Sequence, residues 1–232
     1  MFLFYSTDIT GSTLHITGDE HIHCATVLRK KSGDHIFVTD GTGSIYTAEI
    51  LSSGKKQTIC NILETTKHTP LNPEIAIAIA PTKNASRIEW FLEKATETGI
   101  SAIYLTQTKR TERKTANIRR LEKILISAMK QSLNTYLPVL QPVTFSEILK
   151  LSREKYQQKY IAHCDNPDVS LKSMYNAKSS AILLIGPEGD FTPDEMADAL
   201  HSDFKACSLG NMRLRTETAG LVGLFTMRYP GL

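Results

Sequence analysis

Residues 75 to 80 read Ile-Ala-Ile-Ala-Ile-Ala, and no polar side chain interrupts them. A second unbroken apolar run spans Ala181 to Ile185. A strand with one wet face alternates apolar and polar residues. A strand apolar at every position must be covered on both faces, as in a parallel sheet flanked by helices. Both runs fall far short of the roughly 20 residues a membrane helix needs. The segments around them supply the expected cover. From Asn84, a helical stripe of Ile88, Phe91, Leu92 and Ala95 runs to a glycine stop at Gly99. Strand AIYLTQT follows, then a helix from Asn117 carrying Ile118, Leu121, Ile124, Leu125 and Ala128. Helix FSEILKL, strands KYIAHC and AILLIG, helix TPDEMADALHS, strand FKACSLG and a closing helix Thr216–Met227 complete the series. This alternation predicts an α/β domain with a mostly parallel sheet. The single Trp90 falls on its helix stripe and reads as core.

The first seventy residues have a different rhythm. FLFY, HIFVTD, SIYTAEIL and TICNILE are short β-branched and aromatic runs. Turns at Ser32-Gly33-Asp34, Asp40 to Gly43 and Ser52-Ser53-Gly54 separate them. One helical interlude begins near Gly18, with Ile22, Ala25, Val27 and Leu28 before Arg29-Lys30-Lys31. Short strands with regular turns predict a small β-barrel. Pro70 and Pro73 break the chain, so the expected domains are 1–70 and 71–232. A length of 232 residues with 41% hydrophobic side chains suits one or two packed domains.

The sequence also argues against several classes. MFLFYSTDIT has no basic flank and no long apolar core, so no secretory signal is expected, and the chain reads as a protein of the cell interior. Cys24, Cys60, Cys164 and Cys207 are scattered and read as reduced thiols. His21, His23 and Cys24 would diverge on a helix, so no metal site is expected. His163-Cys164-Asp165 ends a strand and reads as a half-buried terminus. No Walker loop, dinucleotide fingerprint or nucleophile elbow occurs. Charge is uneven: residues 1–70 hold 6 Lys and Arg against 7 Asp and Glu, whereas residues 83–130 hold 11 against 5. The run Lys109–Lys123 alone holds 7 against 2. Either it is a solvated helix face or it is a surface for a polyanion.

Ligands of an open parallel sheet gather at the carboxyl ends of its strands, and two such ends here are unusual. The first is Ile185-Gly186-Pro187-Glu188-Gly189-Asp190-Phe191, which leads into a helix opening Thr192-Pro193-Asp194-Glu195. That opening is a capping box with proline at the first helical position. The second is Ser208-Leu209-Gly210-Asn211-Met212-Arg213-Leu214-Arg215, followed by Thr216-Glu217-Thr218-Ala219-Gly220. Two arginines beside a glycine loop suit an anionic substrate. Glu217 sits where a helix dipole favours a carboxylate.

Together and in this order, the two loops resemble those of the SPOUT class of methyltransferases, whose chain threads a trefoil knot. More narrowly, the sequence is similar to the family that methylates N3 of a uridine in 16S ribosomal RNA of the small subunit. The match covers nearly the whole chain: His23 to Arg29, then Lys83, Arg87, Glu89, Glu93-Lys94-Ala95, Glu97, Gly99, Gln131-Ser132 and Pro138. Most specific are Ile185 to Gly189 with Phe191 and Glu195, and Leu209-Gly210 with Leu214 to Ala219. The chain departs from the family pattern at Asp190, where a glycine is usual. It departs again at Met212 and Arg213, and around Ser127 and Asn134.

The resemblance implies a knotted, mostly parallel sheet flanked by helices, preceded by a PUA-like RNA-binding barrel. It implies S-adenosylmethionine bound by Ile185, Gly186, Pro187, Glu188, Gly189, Ser208, Leu209, Gly210, Asn211 and Leu214. Arg215 would stabilise charge on the uracil, and Glu217 would accept or orient the N3 proton. Arg29, Lys30, Lys83, Arg87, Lys109, Arg110, Arg113, Lys114 and Arg213 would hold RNA. A cytoplasmic homodimer is expected, with the last helix (Leu221, Leu224, Phe225) at its interface or in the core. Two alternatives stay open. A non-catalytic ribosome assembly factor would bind RNA but no methyl donor, and a small-molecule enzyme with a phosphate in the glycine loop would turn over without RNA.

Overall fold

The computed structural model describes residues 2–113, 116–163 and 169–231. It comprises two compact units, Met1–Pro70 with Ile126–Leu137 and Leu71–Leu125 with Pro138–Leu232. The first holds β1 (Leu3–Tyr5), β2 (Ile9–Thr10), β3 (Thr13–Thr17), α1 (Gly18–Ile22), β4 (His35–Thr39), β5 (Ser44–Ser53) and β6 (Gln57–Lys67). The strands form one sheet in the order β1-β4-β5-β6-β3-β2. Its two ends meet at Ser6. The Ser6 amide donates to Thr39 of β4 at 3.0 Å, and its hydroxyl donates to the His15 carbonyl of β3. The sheet therefore curls into the expected barrel. Strands β2 and β3 are additions to the sequence reading. Their turn at Gly11 joins a short pair in which Leu14 and Ile16 of β3 are buried in the core and Ile9 of β2 packs against it. Helix α1 runs on into one π-helical turn, His23–Val27, and Arg29 then leaves it at φ 52°. Phe4, Leu14, Ile16, Ile36, Val38, Ala48 and Ile50 pack inside with Cys24 and Cys60. Burial pushes the Cys60 thiol up to about 12, so it stays protonated and inert.

The second unit contains β7 (Ile75–Ile79), α2 (Ala85–Glu97), β8 (Ala102–Gln107), the start of α3 (Ile118–Gln131), β9 (Val139–Thr144), α4 (Phe145–Lys155), β10 (Gln158–Ala162), α5 (Leu171–Met174), β11 (Ala181–Ile185), α6 (Pro193–His201), β12 (Lys205–Cys207) and α7 (Thr216–Arg228). The last turns of α3 group with the first unit. All six strands are parallel, in the order β12-β10-β11-β7-β8-β9. Both apolar runs form central strands, as their composition requires. On one face Ala76 and Ala78 pack with Tyr104, Phe145, Ile148, Phe191 and Phe204. On the other face α7 approaches closely because it carries glycines: a Cβ on Gly223 would lie 2.2 Å from Leu183, and one on Gly220 2.8 Å from Phe91.

Three sequence expectations need correction or refinement. Strand β9 went unread because Pro142 interrupts it. Proline is tolerated because β9 is the edge strand, paired only to β8. Trp90 is 42% exposed, since the buried face of α2 is made by Ile88, Phe91, Leu92 and Ala95. Of the apolar residues on the last helix, Leu224 is fully buried in its own unit, whereas Phe225 is exposed and packs its ring at a tilt against Tyr229. Among the described residues no helix is long and apolar enough to cross a membrane.

Candidate active site

Strands β12, β10 and β11 are neighbours, so the loops leaving their carboxyl ends share one edge of the sheet. Between them lies a cleft of about 730 Å³. Ile185, Gly186, Pro187, Glu188 and Asp190 form one wall, and Ser208 to Thr216 form the other. Ala162 and His163, at the end of β10, close the space between them. The walls are tied together where the Thr216 hydroxyl donates to the Gly186 carbonyl at 3.2 Å.

Each loop is shaped by its own hydrogen bonds. The Ser208 hydroxyl accepts from the Gly210 amide and donates to the Gly210 carbonyl, both at 3.1 Å. This tight bend needs the φ of 126° that Gly210 adopts, and a Cβ there would meet no atom within 4 Å. On the first loop the Asp190 amide closes a turn onto Pro187 at 2.9 Å. The expected capping box is present, with Thr192 and Glu195 bonding each other's amides. Glu195 does more than cap. It is 3% exposed, and its Oε1 accepts the Lys109 amide at 2.7 Å from the segment after β8.

That segment is basic, and it braces the glycine loop. The Arg110 guanidinium donates to the Gly189 carbonyl at 2.6 Å and to Phe191 at 3.4 Å. Lys109 pairs with Asp194 at 2.8 Å, a hydrogen bond that holds the Asp194 carboxyl below its usual range and lifts the lysine above its own. The Lys83 amide donates to Glu188 at 3.2 Å. Glu217 faces α2 rather than the cleft. It is buried, its Oε1 lies 3.8 Å from Arg87 Nε, and its Oε2 has no hydrogen-bond partner among the described residues.

Comparison with known proteins gives this cleft a setting. The RNA methyltransferase domain family matches residues 69–228, and the RNA methyltransferase PUA domain matches residues 16–63. The chain belongs to this RNA methyltransferase family. A probable rRNA-methyltransferase of Porphyromonas gingivalis superposes with a TM-score of 0.89 at 36% identity, covering 98% of both chains. A ribosomal RNA small subunit methyltransferase E of Neisseria gonorrhoeae, bound to S-adenosyl methionine, superposes with a TM-score of 0.84. It is 26% identical and the match covers 98% of this chain and 97% of that one. The protein of that name from Rickettsia conorii is 28% identical over 224 residues, 95% of this chain and 91% of the relative.

Among RNA methyltransferase family residues singled out in the sequence, the structure gathers all but one of the cofactor set around the cleft. Ile185, Gly186, Pro187, Glu188, Ser208, Leu209, Gly210, Asn211 and Leu214 line it, with Arg213 and Arg215. Gly189 is not part of the lining and presents its carbonyl to Arg110. Ala162, His163, Asp190, Met212, Thr216 and Ala219 join the lining without having been placed there by the sequence. Only the strand order β12-β10-β11 could have found Ala162 and His163. Of the basic residues, Lys83 pairs with Glu112 at 2.9 Å, Arg113 is half-buried, and Arg29 and Lys30 follow the π-helical turn of the first unit. Lys114, Cys164 and Asp165 lie outside the described residues. No group of three or more His, Cys, Asp or Glu side chains among the described residues could hold a metal ion.

The cleft fits a nucleoside methyl donor on its own chemistry. Ile185, Pro187, Leu209, Leu214 and Ala219 offer apolar surface to a base. Ser208, Asn211, Arg213 and Arg215 on the same lining offer polar groups to the rest of such a ligand.

Proposed function

We propose that this chain transfers a methyl group from S-adenosylmethionine to N3 of one uridine in 16S rRNA of the small ribosomal subunit, working as a cytoplasmic homodimer. The observation that carries the reading is the cleft at the ends of β10, β11 and β12, floored by glycine bends and flanked by two exposed arginines. Bound there, S-adenosylmethionine supplies a methyl carbon activated by its sulfonium.

The protein's own groups must deal with the nucleophile. Uridine N3 attacks poorly while it keeps its imide proton, so the site has to lower the cost of removing that proton. Arg215 lines the cleft and stabilises the negative charge that then spreads onto a uracil carbonyl. Glu217 is the second residue of α7, buried, with its Oε1 toward Arg87. Turned away from the cleft, it serves as the orienter in N3 deprotonation, acting through Arg87. Arg213 on the cleft wall, Lys83, Arg87 and Arg113 near α2, and Arg29 and Lys30 on the barrel supply cations for the RNA backbone. Binding the donor and the base at fixed separation removes much of the entropic barrier. For the dimer, Trp90, Phe225 and Tyr229 are exposed aromatic residues on α2 and at the end of α7.

The deciding experiment is mass mapping of ribosomal RNA from cells lacking this protein. One uridine should lose one methyl, restored by the wild-type gene and not by Arg215→Ala. An unchanged methylation map would refute the assignment. With purified enzyme, Glu217→Gln should slow turnover more than it weakens donor binding; full turnover would remove Glu217 from the proton-transfer role.

A further inference from the structure

We propose that Asp190 makes the cleft selective for a cationic ligand, its carboxylate meeting the positive charge of the methyl donor. The proposal rests on the reading that this cleft binds that donor. Asp190 has a φ of 59°, a conformation in which glycine would be free of strain, yet the position carries a carboxylate. Oδ1 accepts the Phe191 amide at 2.8 Å, which fixes the side chain. Oδ2 then faces His163 Nε2 at 3.9 Å, an ion pair when the imidazole is protonated but too long for a hydrogen bond, and both residues line the cleft. The remaining charged groups of the lining separate by wall. Arg213 and Arg215 stand on the opposite loop, and Glu188, on the same loop as Asp190, accepts the Lys83 amide. The cleft thus has an acidic wall and a basic wall, a polarity that suits a ligand with a cation at one end.

S-adenosylmethionine carries two cations, a sulfonium and an ammonium. Its demethylated product, S-adenosylhomocysteine, keeps only the ammonium, and 5′-methylthioadenosine has neither. A carboxylate inside a partly dehydrated cleft attracts such charges more strongly than one in bulk water. The test is calorimetric titration of these three compounds into the wild-type protein, Asp190→Asn and Asp190→Gly. The Asn variant should bind S-adenosylmethionine about tenfold more weakly and 5′-methylthioadenosine within about twofold of wild type. S-adenosylhomocysteine identifies the cation: it weakens with the donor if Asp190 meets the ammonium, and holds if Asp190 meets the sulfonium. Asp190→Gly, whose backbone suits the turn, should show the same ordering with undiminished thermal stability, which separates lost charge from a collapsed loop. Equal weakening of all three ligands, or no change in any, overturns the proposal. Failure of the wild-type protein to bind any of them would instead overturn the donor reading of the cleft.

Discussion

Glu195 shows how firmly the first cleft wall is held, and the cost of removing it can be worked from its contacts. Its carboxylate accepts the Lys109 amide at 2.7 Å, the Thr192 amide at 2.9 Å and the Thr192 hydroxyl at 3.1 Å, all at a position 3% exposed. Glu195→Ala breaks the capping box, worth about 1 kcal/mol. It also leaves the Lys109 amide without its acceptor, which costs about 1–3 kcal/mol if water cannot reach it. The sum is a loss of about 2–4 kcal/mol of unfolding free energy, read from urea denaturation. Donor affinity should fall as well, because Lys109 and Arg110 then lose their seat against the glycine loop. Glu195→Gln retains one carbonyl oxygen and should recover about half of the stability. An Ala variant within about 0.5 kcal/mol of wild type would show that this carboxylate does not hold the loop.

Other outcomes follow from the same reasoning. Burial acts to raise Asp40, but hydrogen bonds from the Thr42 amide, the Tyr46 hydroxyl and the Ser44 amide outweigh it, so its carboxyl sits below the usual range. Its contribution to stability is therefore complete above about pH 4 and lost as pH falls toward the folded value. Asp40→Asn should flatten that acid limb in pH-dependent thermal unfolding; an unchanged limb contradicts the assignment. Arg110→Ala should weaken S-adenosylmethionine binding and leave the salt dependence of RNA binding nearly unchanged, since its guanidinium is committed to the Gly189 carbonyl. A flattened salt slope with intact donor affinity would return Arg110 to the RNA surface. Gly223→Ala should destabilise the second unit by about 1–3 kcal/mol, because the new Cβ would collide with Leu183. Unchanged stability would mean that the sheet yields there.

The parts of the fold legible in the sequence were those with a local physical cause. The apolar runs at 75–80 and 181–185 became central strands because every position in them had to be covered. The Thr192-Pro193-Glu195 cap is likewise local and formed where the residues placed it, and the helix expected from Asn84 begins there, with Asn84 as its N-cap. What escaped depended on neighbours distant in sequence. Pro142 speaks against a strand unless the strand is known to be an edge. Trp90 continues an apolar stripe whose buried centre lies at Phe91 and Leu92.

The site divides in the same way. Glycine bends announce themselves, so the loops at 185–190 and 208–215 could be paired before any geometry was known. The basic run after β8 could not be resolved from composition, because charge counts do not show that Arg110 and Lys109 turn to the loop before α6. Similarly, Glu217 reads as a carboxylate at the first turn of the last helix beside the arginine loop, yet the pitch of α7 turns it toward Arg87 while Thr216 and Ala219 face the cleft.

The central claim, that the two glycine bends enclose a methyl donor, is tested most directly by titrating S-adenosylmethionine into wild-type protein and Gly210→Val. Gly210 lines the cleft at a φ of 126° that valine cannot keep, so the substitution reshapes this bend of the wall. Saturable binding to the wild type, reduced at least about tenfold in a variant that remains folded by circular dichroism, is the predicted result. Donor binding that survives Gly210→Val unchanged would place the ligand elsewhere and contradict the account.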